Sequence, residues 1–196
     1  MSIPNVKMFY KGKIIAEFAG ALPKPRIQQW LEKHLPSQDK EDLKQLIGEL
    51  RDQYGPSSLA SITAFAEAFP HIQEAQIFKW WGQALHEPQA TLDWITSQPK
   101  MAEYADSLED IESLAQLALL ALTDEGSFFE AMKTAQSALQ QFELEAGMRA
   151  LIQAVMINKS YQNDLPRRSM ISLFHFLGEQ HPTSKKLRPH FNMALY

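Results

Sequence analysis

The sequence predicts a mainly α-helical protein that opens on a single β-hairpin. Three observations carry that reading. Two β-prone runs, Val6-Lys7-Met8-Phe9-Tyr10 and Lys13-Ile14-Ile15-Ala16-Glu17-Phe18, flank Lys11-Gly12, a dipeptide suited to a tight hairpin turn. From Ser37 onward apolar residues recur with a period of about 3.6 residues and alternation does not return. Proline and glycine punctuate that region often enough to leave helices of about 12–16 residues joined by short turns, the pattern of stacked helical hairpins. The expected division is therefore residues 1–36, a hairpin and one helix, followed by an α-helical domain over residues 37–196.

Each element has a local cause. Gly20 breaks the second strand, Pro23 and Pro25 suit a helix entry, and Ile27, Trp30 and Leu31 recur at helical spacing before His34-Leu35-Pro36 ends the run. Ser37 is placed to cap the next helix, with Asp39, Glu41 and Asp42 where acids favour the helix dipole. Leu43, Leu46, Ile47, Leu50 and Tyr54 form its apolar stripe, and Gly55-Pro56 stops it. Helices are expected over residues 58–69 and 72–85, with shorter ones over 89–97 and 100–104. Ser107 opens another, with Leu108, Ile111, Leu114, Ala115, Ala118 and Leu122 on one side. Ser127-Phe128-Phe129-Glu130 has the spacing of a capping box, and Phe128, Ala131, Met132, Ala135 and Leu139 continue that helix inward. Met148, Leu151, Ile152 and Val155 mark the next helix, and Asp164 and Pro166 begin another ending near Gly178. Leu187, Phe191 and Leu195 close the chain at helical spacing. No clean repeat of about 34 residues is visible, so any repeats are degenerate.

Composition narrows the function classes. The chain has 196 residues, 45% of them hydrophobic and 21% charged, within the range of an ordinary globular protein. No apolar run reaches the roughly 18–20 residues needed to span a bilayer, and no signal-peptide pattern opens the chain, so a cytoplasmic protein is expected. There is no cysteine, which excludes disulfides, thiolate metal sites and thiol redox chemistry within these residues. The net charge of −4 is unevenly spread, with acids concentrated over residues 103–145 and bases over 147–196. An acidic chain without a basic aromatic stripe is not a nucleic-acid binder by this reading.

Catalytic patterns are missing. The six histidines form no pair at metal-ligand spacing; His175 and Glu179 stand at i, i+4, but two ligands do not make a site. Neither a Gly-x-Ser-x-Gly elbow nor a phosphate-cradling glycine loop occurs. Carboxylate pairs such as Glu109 with Glu112 read as solvated helix faces. The expectation is a protein with no catalytic activity, no cofactor and no metal. Candidate partner-binding groups are aromatic. Adjacent residues on a helix point about 100° apart, so of Trp80-Trp81 and of Phe128-Phe129 only one of each pair can be central to the core. The other, with Trp80, Trp81 and Phe129 as candidates, either lines a groove between helical hairpins or covers a neighbouring helix. At the C-terminus, Lys185, Lys186 and Arg188 accompany an apolar seam of Leu187, Phe191 and Leu195, which, with Tyr196 as a further candidate, either docks into a partner or caps the stack.

Two segments resemble one known family. From Ile3-Pro4 to Leu35-Pro36 the chain is similar to the last third of thioredoxin: Ile-Pro, a strand, a Lys-Gly turn, a second strand, then Gly20-Ala21-Leu22 before a helix. The other segment runs through Gly147-Met148-Arg149-Ala150-Leu151, Leu173-Phe174-His175-Phe176-Leu177-Gly178 and Ala194-Leu195-Tyr196. It looks like the closing helices of chaperedoxins, bacterial stress-response proteins that join a thioredoxin domain to a tetratricopeptide-like helical domain. Pro189 departs from that pattern, since the family's last helix usually runs on. The resemblance implies a cis Ile3–Pro4 bond and a degenerate tetratricopeptide-like stack. It also implies a co-chaperone that binds unfolded clients and engages a chaperonin or another folding chaperone. Two alternatives stay open: an accessory or fragment of a thioredoxin-like oxidoreductase whose redox site lies outside these residues, and a helical scaffold for one folded partner. The family's CxxC-bearing half is not in this sequence, which leaves open whether Met1 is the native start. A hairpin and one helix cannot close a thioredoxin sheet. The expectation is that residues 1–36 dock on the helical domain, pair with another copy as a homo-oligomer, or are poorly ordered.

Overall fold

The computed structural model describes residues 3–35, 38–98 and 102–196. Its order is an antiparallel two-stranded hairpin followed by ten α-helices among the described residues. The chain divides into two compact units, Met1–Gln45 and Leu46–Tyr196, so the division falls inside a helix, after the boundary expected at residue 36.

In the first unit, strand β1 (Asn5–Tyr10) pairs with β2 (Lys13–Ala19), and Val6 faces Phe18 across the ladder. Lys11 and Gly12 both have positive φ, at 46° and 78°, as a two-residue turn matched to strand twist requires. A bulge between Met8 and Phe9 shifts the register near that turn. The Ile3–Pro4 bond is cis, and the Gly20 amide donates to the Pro4 carbonyl at 2.7 Å, closing the open end of the hairpin. Helix α1 (Lys24–His34) sets the Trp30 ring edge-on to Phe18, centroids 4.9 Å apart. Among the described side chains of residues 3–35 none is buried; Ile3 is 90% exposed and Phe9 66%.

Helix α2 (Gln38–Asp52) crosses the division between the units, and the capping role expected of Ser37 lies outside the described residues. The second unit continues with α3 (Pro56–Ala68), α4 (Gln73–Gln83) and α5 (Pro88–Ser97). A single 3₁₀ turn, Ala102–Tyr104, stands where a short helix was expected and leads into α6 (Ala105–Leu119). Then come α7 (Ser127–Gln140), α8 (Leu144–Asn158), α9 (Tyr161–Leu177) and α10 (Pro182–Ala194). Helices pair as α3 with α4, α5 with α6 and α7 with α8, while α9 lies against α6 and α8 and α10 against α8 and α9. The core runs through Ile62, Leu85, Leu114, Met132, Leu151 and Met170, all fully buried. Gly147 permits the α7–α8 approach, since a Cβ there would stand 2.5 Å from the Leu139 side chain and 3.3 Å from the Ala135 carbonyl.

Three local expectations are corrected. The capping box at Ser127–Glu130 does not form: Gly126, with φ at 116°, takes the cap position, and no side chain caps this helix. Glycine reaches that dihedral freely, so the helix starts one residue earlier than a serine cap would allow. The preceding helix starts at Ala105 instead of Ser107 and stops before Leu122, because the chain turns extended at Leu120. At α3 the reciprocal bond comes from elsewhere: the Gly55 amide donates to the Ser58 hydroxyl at 3.2 Å. Finally, α9 does not begin cleanly at Asp164. Gln162, Asn163 and Asp164 make a left-handed turn with φ between 43° and 58°, and right-handed helix resumes only as Leu165 and Pro166 enter the core.

Candidate peptide-binding cleft

A cleft of about 380 Å³ opens between α4, α6 and α9, within the range of ligand-binding pockets. Its aromatic wall follows from adjacent positions in two helices. Trp81 of α4 and Phe176 of α9 stack face to face, and Phe78, one turn before Trp81, lies 5.8 Å from Phe176 between centroids. Trp81 is fixed from behind, donating through Nε1 to the Ser172 hydroxyl at 3.2 Å. Tyr54 presents its ring to both Trp81 and Phe176 and donates its hydroxyl to the Gly82 carbonyl at 2.9 Å. The Arg51 guanidinium lies 5.1 Å from the Phe78 ring and donates to the Phe176 carbonyl. Aromatic walls are thus locked in rotamer before any ligand arrives.

The rest of the lining is polar and acidic. Glu74, Tyr104, Ser107, Asp110 and His175 form it. Asp110 Oδ2 stands 2.7 Å from His175 Nδ1, the most direct polar link across the cleft. Desolvation pushes the Asp110 carboxyl above the usual carboxylate range; the hydrogen bond to His175 opposes the rise, and the charges of Asp106 and Glu109 add to it. The Tyr104 hydroxyl is likewise pushed up, by burial first and then by Glu103 and Glu74. Burial lowers the Arg51 pKa, against the pull of Glu74 and Asp52. Glu74, Tyr104 and Ser107 have no hydrogen-bond or ion-pair partner among the described residues. No group of three His, Cys, Asp or Glu side chains able to hold a metal occurs among the described residues.

The residues singled out in the sequence fall in five places. Trp81 forms the cleft wall. Trp80 covers a neighbour instead, stacking on Trp94 of α5 with centroids 5.3 Å apart. Phe129 meets Tyr161 edge-on at 5.8 Å, away from the cleft. At the C-terminus Phe191 is 5% exposed and packs on Phe174. Arg188 lies over the Phe174 ring, Lys186 pairs with Glu145 at 2.6 Å, and the Leu195 carbonyl accepts from Lys159 at 2.6 Å. Lys185 and Tyr196 stay exposed. Pro4 belongs to the hairpin unit. The sequence reading missed Glu74, Tyr104, Asp110 and the role of His175. One signal was available: Ser107 and Asp110 stand three apart on the stripe that continues to Leu114, so the inner face of α6 turns polar at its start.

A tetratricopeptide-repeat family model matches residues 105–196. The matched region, similar to a tetratricopeptide repeat, contributes α6 and α9, hence Ser107, Asp110, His175 and Phe176, to the cleft. No curated protein matches the chain. Repeats of this kind imply a protein-binding module with protein partners, because stacked helical hairpins bury a continuous core and leave grooves between pairs. The match leaves residues 3–35, which carry the thioredoxin resemblance, outside it.

Proposed function

We propose that this protein is a non-catalytic co-chaperone that holds unfolded polypeptide segments in the cleft between α4, α6 and α9 and releases them to a folding chaperone. The observation that supports it is the cleft itself. Rigid aromatic faces beside polar groups with no partner of their own suit a polypeptide better than a rigid small molecule, because they offer apolar area and hydrogen bonding without a closed shape. His175 is exposed and its ring is engaged by Asp110, with no nucleophile against it.

The test is suppression of aggregation. A chemically unfolded model client diluted into buffer should scatter less light in the presence of stoichiometric amounts of this protein. Trp81→Ala, which removes the wall, should lose most of that protection while retaining helical circular dichroism. Undiminished scattering at several-fold excess of the wild-type protein rejects the reading.

A second reading has its own support. The described part of residues 3–35 buries no side chain and leaves Phe9 and Ile14 exposed, as expected of a surface that completes a larger fold. In that reading the chain is an accessory to a thioredoxin-like oxidoreductase whose redox site lies outside these residues.

A further inference from the structure

We propose that the cleft between α4, α6 and α9 takes the cationic side chain of a lysine or arginine presented by the bound polypeptide. This rests on the protein-binding reading above and names the residue class that the cleft selects.

Glu74 and Asp110 leave carboxylate oxygens without a protein donor among the described residues. Glu74 lines the cleft as an acceptor-only group with no hydrogen-bond or ion-pair partner among the described residues, and the hydroxyls of Tyr104 and Ser107 beside it are equally unengaged. Asp110 is held by His175 through Oδ2 alone, and a carboxylate can accept several bonds. Groups that only donate, and so match carboxylate oxygens, are an ammonium, with three N–H, or a guanidinium, with five.

The walls favour the same ligand. A long cationic side chain has an apolar stem and a charged head. The stem fits along Ile77, Phe78 and Trp81, and the head can reach the acidic side; aromatic faces also attract cations directly. The Arg51 guanidinium 5.1 Å from the Phe78 ring shows that this ring accepts a cation.

Charge around the cleft agrees. Glu103, Asp106 and Glu109 add to Glu74 and Asp110, and their effect reaches the site, since Glu103 shifts Tyr104 and both Asp106 and Glu109 shift Asp110. Against these stands Arg51, which feels the charge of Glu74. The balance is negative, so an anionic segment is repelled and a basic one is drawn in.

The test uses short, extended, fluorescently labelled peptides that differ at one central position, lysine in one and its uncharged isostere norleucine in the other. Fluorescence anisotropy with wild-type protein should show the lysine peptide binding about tenfold tighter, the scale set by one or two desolvated charge contacts. Glu74→Gln and Asp110→Asn together should reduce that ratio to near one. Glu74 is exposed, and Glu74→Gln alone serves as the variant if the double substitution loses helicity. Equal affinity of the two peptides, binding of neither, or an unchanged ratio in the variants overturns the proposal. The aggregation assay is scored separately, so a protein that protects clients without preferring lysine sinks this inference and spares the binding reading.

Discussion

Single residues here are fixed by bonds that no neighbour in sequence supplies. The Tyr54 hydroxyl donates to the Gly82 carbonyl, so its oxygen is left to accept from His86 Nε2 at 3.2 Å, which places the imidazole proton on that nitrogen. Phe142 stacks on the same ring at 4.2 Å and holds a left-handed φ of 64°, a conformation that packing stabilises against the intrinsic preference of a bulky residue. Burial lowers the His86 pKa below its ordinary 6.5, with Glu87 opposing the shift. The unfolded chain therefore takes up a proton at His86 more readily than the folded one. The stabilising contribution of neutral His86 is complete above 6.5 and is lost as pH falls through the depressed folded value. Between about pH 7 and pH 5 the melting temperature of the wild type should fall more steeply than that of His86→Gln, which has no imidazole to charge. Parallel pH profiles would assign the acid sensitivity to another group. Residue-scale legibility was uneven. Trp81 was read as a partner-binding candidate and lies on the cleft wall, and Phe191, read as either docking into a partner or capping the stack, is buried. Asp110 and His175 stand 65 positions apart, and no local spacing rule links residues at that separation.

At the scale of elements, the glycines separate two opposing effects. In the interior of a helix glycine costs about 0.5–1 kcal/mol against alanine through backbone entropy. Gly48 in α2 has nothing within 4 Å of where a Cβ would stand. Gly48→Ala should therefore raise the free energy of unfolding by about that amount in a denaturant titration. Gly147 has the same propensity to gain, but its Cβ would press on Leu139 and the α7 backbone. Overpacking costs about 1–3 kcal/mol, so Gly147→Ala should lower stability despite the better helix former. A stabilising Gly147→Ala would show that α7 and α8 can separate without loss. Element types were legible because helical period and hairpin turn chemistry act within a few residues. Element ends were less so: both Ser127 and Ser107 are suitable caps by sequence, yet Gly126 caps one helix and the other begins at Ala105. A cap is chosen by how the chain enters the stack, and the entry is a tertiary property.

For the molecule as a whole, the contrast between its two units carries the main consequence. The second unit buries a long row of side chains, each worth about 1.5–3 kcal/mol, whereas residues 3–35 bury none among those described. Opening free energy follows buried contact, so the hairpin should open at far lower cost than the stack. In limited trypsin digestion Lys7, Lys11 and Lys13 should be cut well before exposed Lys133 in α7, as followed by mass spectrometry. Equal survival of both sets would mean that the hairpin is covered, by another copy or by a partner. The sequence by itself determined the hairpin, the helical period, the punctuation between helices and the exclusion of thiol chemistry. Each of these depends on composition or on residues within a turn of one another. Only the tertiary structure decided that α4, the turn at Tyr104, α6 and α9 enclose a common cleft, which aromatic ring of each pair is buried, and that the last helix caps the stack. Those outcomes depend on how helices far apart in the chain pack against one another, and packing follows from the fit of whole faces, which no single segment contains.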